Sequence, residues 1–255
     1  MSIIKNEIPI LEFDTDQSAV IMSAHEKLGI RLPPWAVFAF LGEEVERYAA
    51  SVKAVPIAYF ESETKLFPAY VISYKGEPVT LIQAPVGAAA AVQILDWLWA
   101  YGTEKVISAG CCGALRDYGE NVFLVPRKAL RDEGASYHYA PPSRFIEVDP
   151  RARAAIEKTL TDHGLKYTEV VTWSTDGFYR ETKAMVEYRK QEGCDVVEME
   201  CSALSACAAM RGIIWGELLY TADTLVNVHD YDVRNWGRDS VSLALELCLE
   251  AVLKL

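Results

Sequence analysis

The stretch Cys194-Asp-Val-Val-Glu-Met-Glu-Cys-Ser-Ala-Leu204 passes from a β-branched pair through two acids into a row of small residues suited to a helix. A strand that runs straight into a helix marks an α/β unit, and it leaves Glu198 and Glu200 at the strand's carboxyl edge. In α/β sheets that edge is where ligands bind. An ionised carboxylate can accept charge-assisted hydrogen bonds from two vicinal hydroxyls, as on a ribose, and the Met199 thioether beside it offers soft apolar contact to a sugar face. The same two acids also suit the first turn of a helix, where the macrodipole favours negative charge.

Working outward, short apolar runs alternate with amphipathic ones. Strands are predicted at Ala36–Leu41, Ala69–Tyr74, Val79–Ala84, Lys105–Ala109, Val122–Val125, Thr168–Trp173, Asp195–Glu198 and Ile213–Thr221. Helices are predicted at Gly87–Tyr101, Pro150–His163, Glu181–Gln191, Ser202–Arg211 and Ser240–Leu253, with an acidic helix start at Glu43–Glu46. The expected architecture is a single α/β domain over residues 35–255: a central mixed, largely parallel twisted sheet flanked by helices on both faces. Residues 1–34, ending at Pro33-Pro34, read as an N-terminal extension packed over the main body or a partner subunit.

With 255 residues, 51% hydrophobic and 24% charged, the chain suits one domain with one substantial core. A formal net charge of -11 argues against a nucleic-acid surface, because phosphate-backbone binding needs clustered cations. Six cysteines lie in apolar company with no metal-finger spacing, so free thiols in a reducing cytoplasm are expected, with no metal and no organic cofactor. No secretory signal and no membrane span is read. A small-molecule ligand is the expected partner.

The motifs together resemble the nucleoside phosphorylase superfamily, in its hexameric purine nucleoside phosphorylase and uridine phosphorylase branch. Val197-Glu198-Met199-Glu200 resembles that family's Val-Glu-Met-Glu signature, Gly134-Ala-Ser-Tyr-His-Tyr-Ala140 its Gly-Ala-Ser-x-His segment, and Ser174-Thr-Asp-Gly-Phe-Tyr179 the loop whose Phe stacks on the base. Gly110-Cys-Cys-Gly113 matches its glycine-rich turn. The resemblance spans roughly Ala36 to Leu255. It implies a nucleoside pocket lined by Val197, Glu198, Met199 and Glu200, with Glu200 on the sugar hydroxyls and Phe178 as base-stacking wall. It also implies phosphorolysis of a purine nucleoside to base and ribose 1-phosphate, with phosphate as co-substrate, in a homo-oligomer such as a dimer or trimer of dimers.

Breaking an N-glycosidic bond leaves negative charge on the departing base, so a carboxyl with a raised pKa beside the base lowers the barrier. Asp223, after the apolar strand Ile213–Thr221, is the candidate acid and equally a candidate turn cap. By resemblance it matches the Asp that protonates the purine, and Arg238 matches the arginine that partners it, with Arg234 competing.

The phosphate site departs from the family pattern. Gly42 is kept, but Glu46 stands where an arginine is expected, Ser108 replaces the arginine before Ala109-Gly110, and Cys111 replaces a hydroxyl residue. Arg47 and Lys65 are the candidate replacements. Like charges about 4 Å apart cost about 4 kcal/mol at an effective dielectric of about 20, so acids here repel phosphate. Two alternatives stay open: hydrolysis, with Glu43 or Glu44 as base, and a nucleoside-binding protein without catalysis. His138 and His229 carry no triad pattern, and Cys111 has no electropositive neighbour to make a thiolate.

Overall fold

The computed structural model describes residues 2–255. In chain order the strands and helices are β1 (Ile3–Ile4), β2 (Phe13–Asp14), β3 (Trp35–Ala39), α1 (Glu44–Ser51), β4 (Pro56–Glu61), β5 (Leu66–Tyr74), β6 (Glu77–Gln83), α2 (Ala88–Ala100) and β7 (Lys105–Ala114). They continue as β8 (Phe123–Asp132), β9 (Phe145–Glu147), α3 (Pro150–Asp162), β10 (Tyr167–Thr175), α4 (Lys183–Gln191), β11 (Val196–Glu198), α5 (Cys201–Arg211), β12 (Ile214–Thr224) and α6 (Val241–Val252).

Ten strands form one mixed sheet in the order β11-β10-β8-β12-β7-β3-β6-β5-β4, with β9 on β8. The pairings β10–β11, β10–β8, β12–β7, β3–β6 and β3–β7 are parallel. The pairing β12–β8 and the hairpins β4–β5–β6 are antiparallel. Strand β11 also pairs antiparallel with β7, Val196 against Ala114 and Val197 against Gly113. One end of the sheet thereby curls shut and brings β7, β11 and the end of β12 around a common space. Nothing in the apolar pattern signalled that closure, or strand β4.

Local chemistry explains the element ends. Pro150 occupies the first turn of α3 and the Asp149 side chain accepts from Arg151 N–H, while Thr182 caps α4 through Met185 N–H. Gly212, at φ +74°, ends α5 in the left-handed conformation. The two largest of four buried apolar clusters fill the layers. On one face α2 and α5 bury Trp97, Leu98 and Leu204 against the sheet; on the other, α3 and α6 bury Ile156, Leu245 and Leu249. Burying each such side chain contributes roughly 1.5–3 kcal/mol.

The predicted glycine-rich turn at 110–113 is instead continuous strand: β7 runs to Ala114. Gly113 serves close packing, because a Cβ there would stand 2.9 Å from Leu225 Cδ1 and 3.0 Å from Val197 Cγ1. The N-terminal segment lies over the α2 face, where Arg211 donates to the Gln17 carbonyl, Trp97 to Glu26 and Ser23 to Asp96. No helix among the described residues is long and apolar enough to cross a membrane.

Candidate active site

Strand β11 and the turn to α5 set the acids. Glu198 is only 7% exposed and its carboxylate is fully employed: Thr172 and Ser174 hydroxyls donate to Oε1 at 3.0 and 2.6 Å, and the Glu200 and Cys201 N–H groups donate to Oε2, each at 2.6 Å. It ties β10 to β11 and caps α5, so its lone pairs are taken before any ligand arrives. Burial raises the Glu198 pKa against those four donors. Glu200, two residues on, accepts from Gly87 N–H at the start of α2. Its pKa is pushed up to about 8, by burial first and by the Glu198 charge second.

Glu200 faces a cavity of about 160 Å³ lined also by Phe40, Gly110, Cys111, Met199, Glu217 and Asp223. Val197, Glu198 and Phe178 reach the same cavity. Phe178, Glu181, Asp223 and Trp236 are shared with an adjoining cavity of about 410 Å³, whose far walls are Val186, Leu225, Val228 and Tyr231. The two cavities therefore adjoin, with Glu200 in the smaller one and Asp223 at the waist where they meet. Asp223 is 6% exposed, accepts from the Tyr231 hydroxyl at 2.9 Å and has a raised pKa, because burial outweighs the Tyr231 bond and the Arg234 charge. A larger hollow of about 770 Å³ lies under the N-terminal segment, but its buried acid Asp96 is already paired with Arg211 at 3.0 Å and bonded to Ser23 and Tyr139.

The structure sorts the remaining sequence candidates. Arg238 is not brought to the cavities: it stands exposed at the start of a 3-10 turn, and the cation acting on Asp223 is Arg234, anchored by Tyr118 and Ala222 carbonyls. Of the proposed phosphate residues, Gly110 and Cys111 line the small cavity while Gly42, Arg47, Lys65 and Ser108 do not. Arg47 is an exposed partner of Glu44, Lys65 lies over the Phe67 ring, and Ser108 is buried, accepting from the Trp215 indole. Glu44 bonds Arg47 and the Ser242 hydroxyl, and neither it nor Glu43 lines either of these two cavities. Cys111 opens onto the cavity, yet its thiol is pushed up to about 11 by burial and then by Asp223, which disfavours a thiolate. No cluster of His, Cys, Asp or Glu able to hold a metal occurs among the described residues.

Sequence reasoning missed Glu181, Glu217, Tyr231 and Trp236. Glu217 carried a signal: a lone charge inside the apolar strand β12. It is 2% exposed, its pKa is raised well above the ordinary carboxylate range by burial and by Glu198 and Glu200, and its Oε2 has no hydrogen-bond partner. Tyr231 and Trp236 sit on irregular segments without periodicity, and Glu181 was read only as the start of a helix that in fact begins at Lys183. Five carboxyl groups thus line the small cavity, and no Lys or Arg does.

The family model described as the phosphorylase superfamily matches residues 34–254. A guanosine phosphorylase from Halorubrum lacusprofundi is 25% identical over 187 residues, covering 71% of this chain and 78% of that protein. Among solved structures, purine nucleoside phosphorylase from Toxoplasma gondii in complex with immucillin-H superposes with a TM-score of 0.76 at 19% identity, covering 88% of this chain and 92% of that one. An AMP nucleosidase from Bacteroides thetaiotaomicron superposes with a TM-score of 0.72 at 22% identity, covering 87% and 88%.

Proposed function

The chain belongs to the phosphorylase superfamily, and from that premise we propose that it cleaves the N-glycosidic bond of a purine nucleoside with water as the attacking group. The observation that carries this reading is that Glu200 and Asp223, far apart in sequence, line one cavity. Glu200 takes the ribose 2′ and 3′ hydroxyls, with Met199 and Val197 against the sugar. Hydroxyl donors and developing positive charge pull its carboxyl toward the ionised form. Phe178 packs on the base. As the C1′–N9 bond breaks, its electron pair passes to the base and Asp223 gives the base a proton. The water oxygen bonds C1′, and the proton it sheds passes to a neighbouring water at the Gly110–Cys111 end of the cavity.

Water is favoured over phosphate by charge. A dianion entering a cavity lined by no Lys or Arg finds nothing to neutralise it, whereas water enters without that cost and Glu200, drawn into its ionised form by the sugar, stabilises an oxocarbenium-like centre. Phosphorolysis is the second reading, supported by a relative named guanosine phosphorylase; it needs a cation supplied by a neighbouring copy. A homo-oligomer, a dimer or trimer of dimers, belongs to the proposal, supported by the exposed Val20, Ile21, Ile57, Tyr59 and Leu66. A cytoplasmic location goes with it, supported by six unpaired thiols.

Incubating the protein with purine nucleosides, with and without phosphate, and identifying the sugar product tests this. Free ribose at a rate indifferent to phosphate is the expected result. Ribose 1-phosphate formed only with phosphate establishes phosphorolysis instead, and binding without turnover reduces the protein to a binder.

A further inference from the structure

Glu181 enters the sequence-based reading only as a helix start, yet it stands at the waist of the site. It follows the short turn that carries Phe178, and it lines both cavities together with Asp223 and Trp236. It has no hydrogen-bonded neighbour; its pKa is pushed up to about 7 by burial and by the Asp223 charge alone. Asp223 is bonded on Oδ2 by Tyr231, and its Oδ1 lies toward Gly113 on the small-cavity side. The groups facing Glu181 are Asp223 and the Tyr231 phenol; Lys183, elsewhere on the lining of the wider cavity, has its Nζ 3.0 Å from His229 Nδ1.

Two carboxyls in one partly desolvated space resist ionising together. Before a base binds, burial and the Asp223 charge hold the proton on Glu181 up to about pH 7, and a base whose N7 faces Asp223 and whose amino group faces Glu181 draws that one proton across to Asp223. A pair with one proton presents one donor and one acceptor. The Hoogsteen edge of adenine presents the complement, an acceptor at N7 and a donor at the 6-amino group, whereas a 6-oxopurine presents two acceptors. Resting on the reading of this cavity as a purine nucleoside site, we propose that Asp223 and Glu181 together select 6-aminopurine nucleosides, Asp223 donating to N7 and Glu181 accepting from the 6-amino group. Against a 6-oxopurine the ionised Glu181 faces a carbonyl oxygen, a repulsive contact that adds to the lost hydrogen bond. Glu181 is a specificity residue in this scheme; the proton that reaches the leaving base comes from Asp223.

The test is kcat/KM for adenosine and for inosine with the wild-type protein and with Glu181→Gln, together with product inhibition by adenine and by hypoxanthine. Adenosine is expected to lead inosine by about tenfold to a hundredfold, the range of one donor–acceptor mismatch. Glu181→Gln, whose amide can turn to donate to a carbonyl, shrinks that ratio by about tenfold, chiefly through loss on adenosine. Inosine cleaved as well as adenosine by the wild type, or a ratio unmoved by Glu181→Gln, overturns the inference while leaving purine nucleoside cleavage intact. Should the variant not fold, the wild-type ratio and the preference for adenine over hypoxanthine as inhibitor decide. Cleavage of neither nucleoside removes the underlying reading, and the inference with it.

Discussion

Three neighbouring acids have three different fates because their surroundings differ. Glu198 spends its oxygens on four donors and holds the turn together. Replacing it with Ala leaves two N–H groups and two hydroxyls unsatisfied in the interior, and hydrogen bonds to a charged group are worth about 1.5–3 kcal/mol each. Glu198→Ala is therefore expected to lower the melting temperature markedly, and a thermal melt equal to wild type contradicts the capping role. On the proposed reading, Glu200→Gln keeps the shape but loses the charge offered to the sugar hydroxyls. A drop in kcat/KM of about tenfold to a hundredfold is expected, with the melting temperature little changed. Asp223→Asn removes the acid and is expected to depress kcat by about a hundredfold or more; steady-state turnover of a purine nucleoside measures it, and an unimpaired variant removes the assignment.

Between elements, the site depends on backbones that approach closely. Gly113 lets β7 meet the Leu225 and Val197 side chains beneath the cavity floor. Gly216 does the same for helix α3 on strand β12, where an added Cβ would stand 2.6 Å from Ala152 Cβ. The crowding cannot be relieved by a side-chain rotation, since the obstacle is itself a Cβ fixed to a helix. Gly216→Ala is expected to destabilise by about 1–3 kcal/mol through overpacking, which differential scanning calorimetry reads as a fall of several degrees; an unchanged melting temperature means the α3–β12 contact is looser than these distances state. Strand β11 acts through its double pairing with β10 and β7, which brings the acids it carries opposite the end of β12.

For the molecule as a whole, buried acids make stability depend on pH. Glu198, Glu200 and Glu217 all have folded pKa values raised above the ordinary value of 4.5, Glu200 to about 8. A raised folded value means that the stabilisation is complete below the unfolded value and is lost as pH rises through the folded one. Stability should therefore decline from about pH 4.5 to beyond about pH 8. Glu250 has the opposite sign. Bonds from Lys75, Lys254 and His163 hold it down to about 2, so its contribution is present above its unfolded value and lost as pH falls toward about 2. Melting temperatures taken from pH 4 to pH 9 are expected to fall on the alkaline side, and Glu217→Gln to flatten that fall. A wild-type curve flat above pH 5 means the buried acids are not held protonated.

The sequence by itself determined the alternation of strands and helices, the strand–acid–helix turn at Val196–Cys201 and the family to which they belong, because periodicity and contiguous motifs are local properties of a chain. Glu200 and Asp223 were legible for that reason, each lying at the end of a readable strand. Only the tertiary structure decided which acids face one space: that Glu198 is spent on capping, that Arg234 and not Arg238 acts on Asp223, and that Glu181, Glu217 and Trp236 join the lining. These depend on curling the sheet until β11 meets β7 and on irregular loops folded back over its edge. Neither leaves a periodic trace, since the contacts that enforce them come from residues distant in the chain.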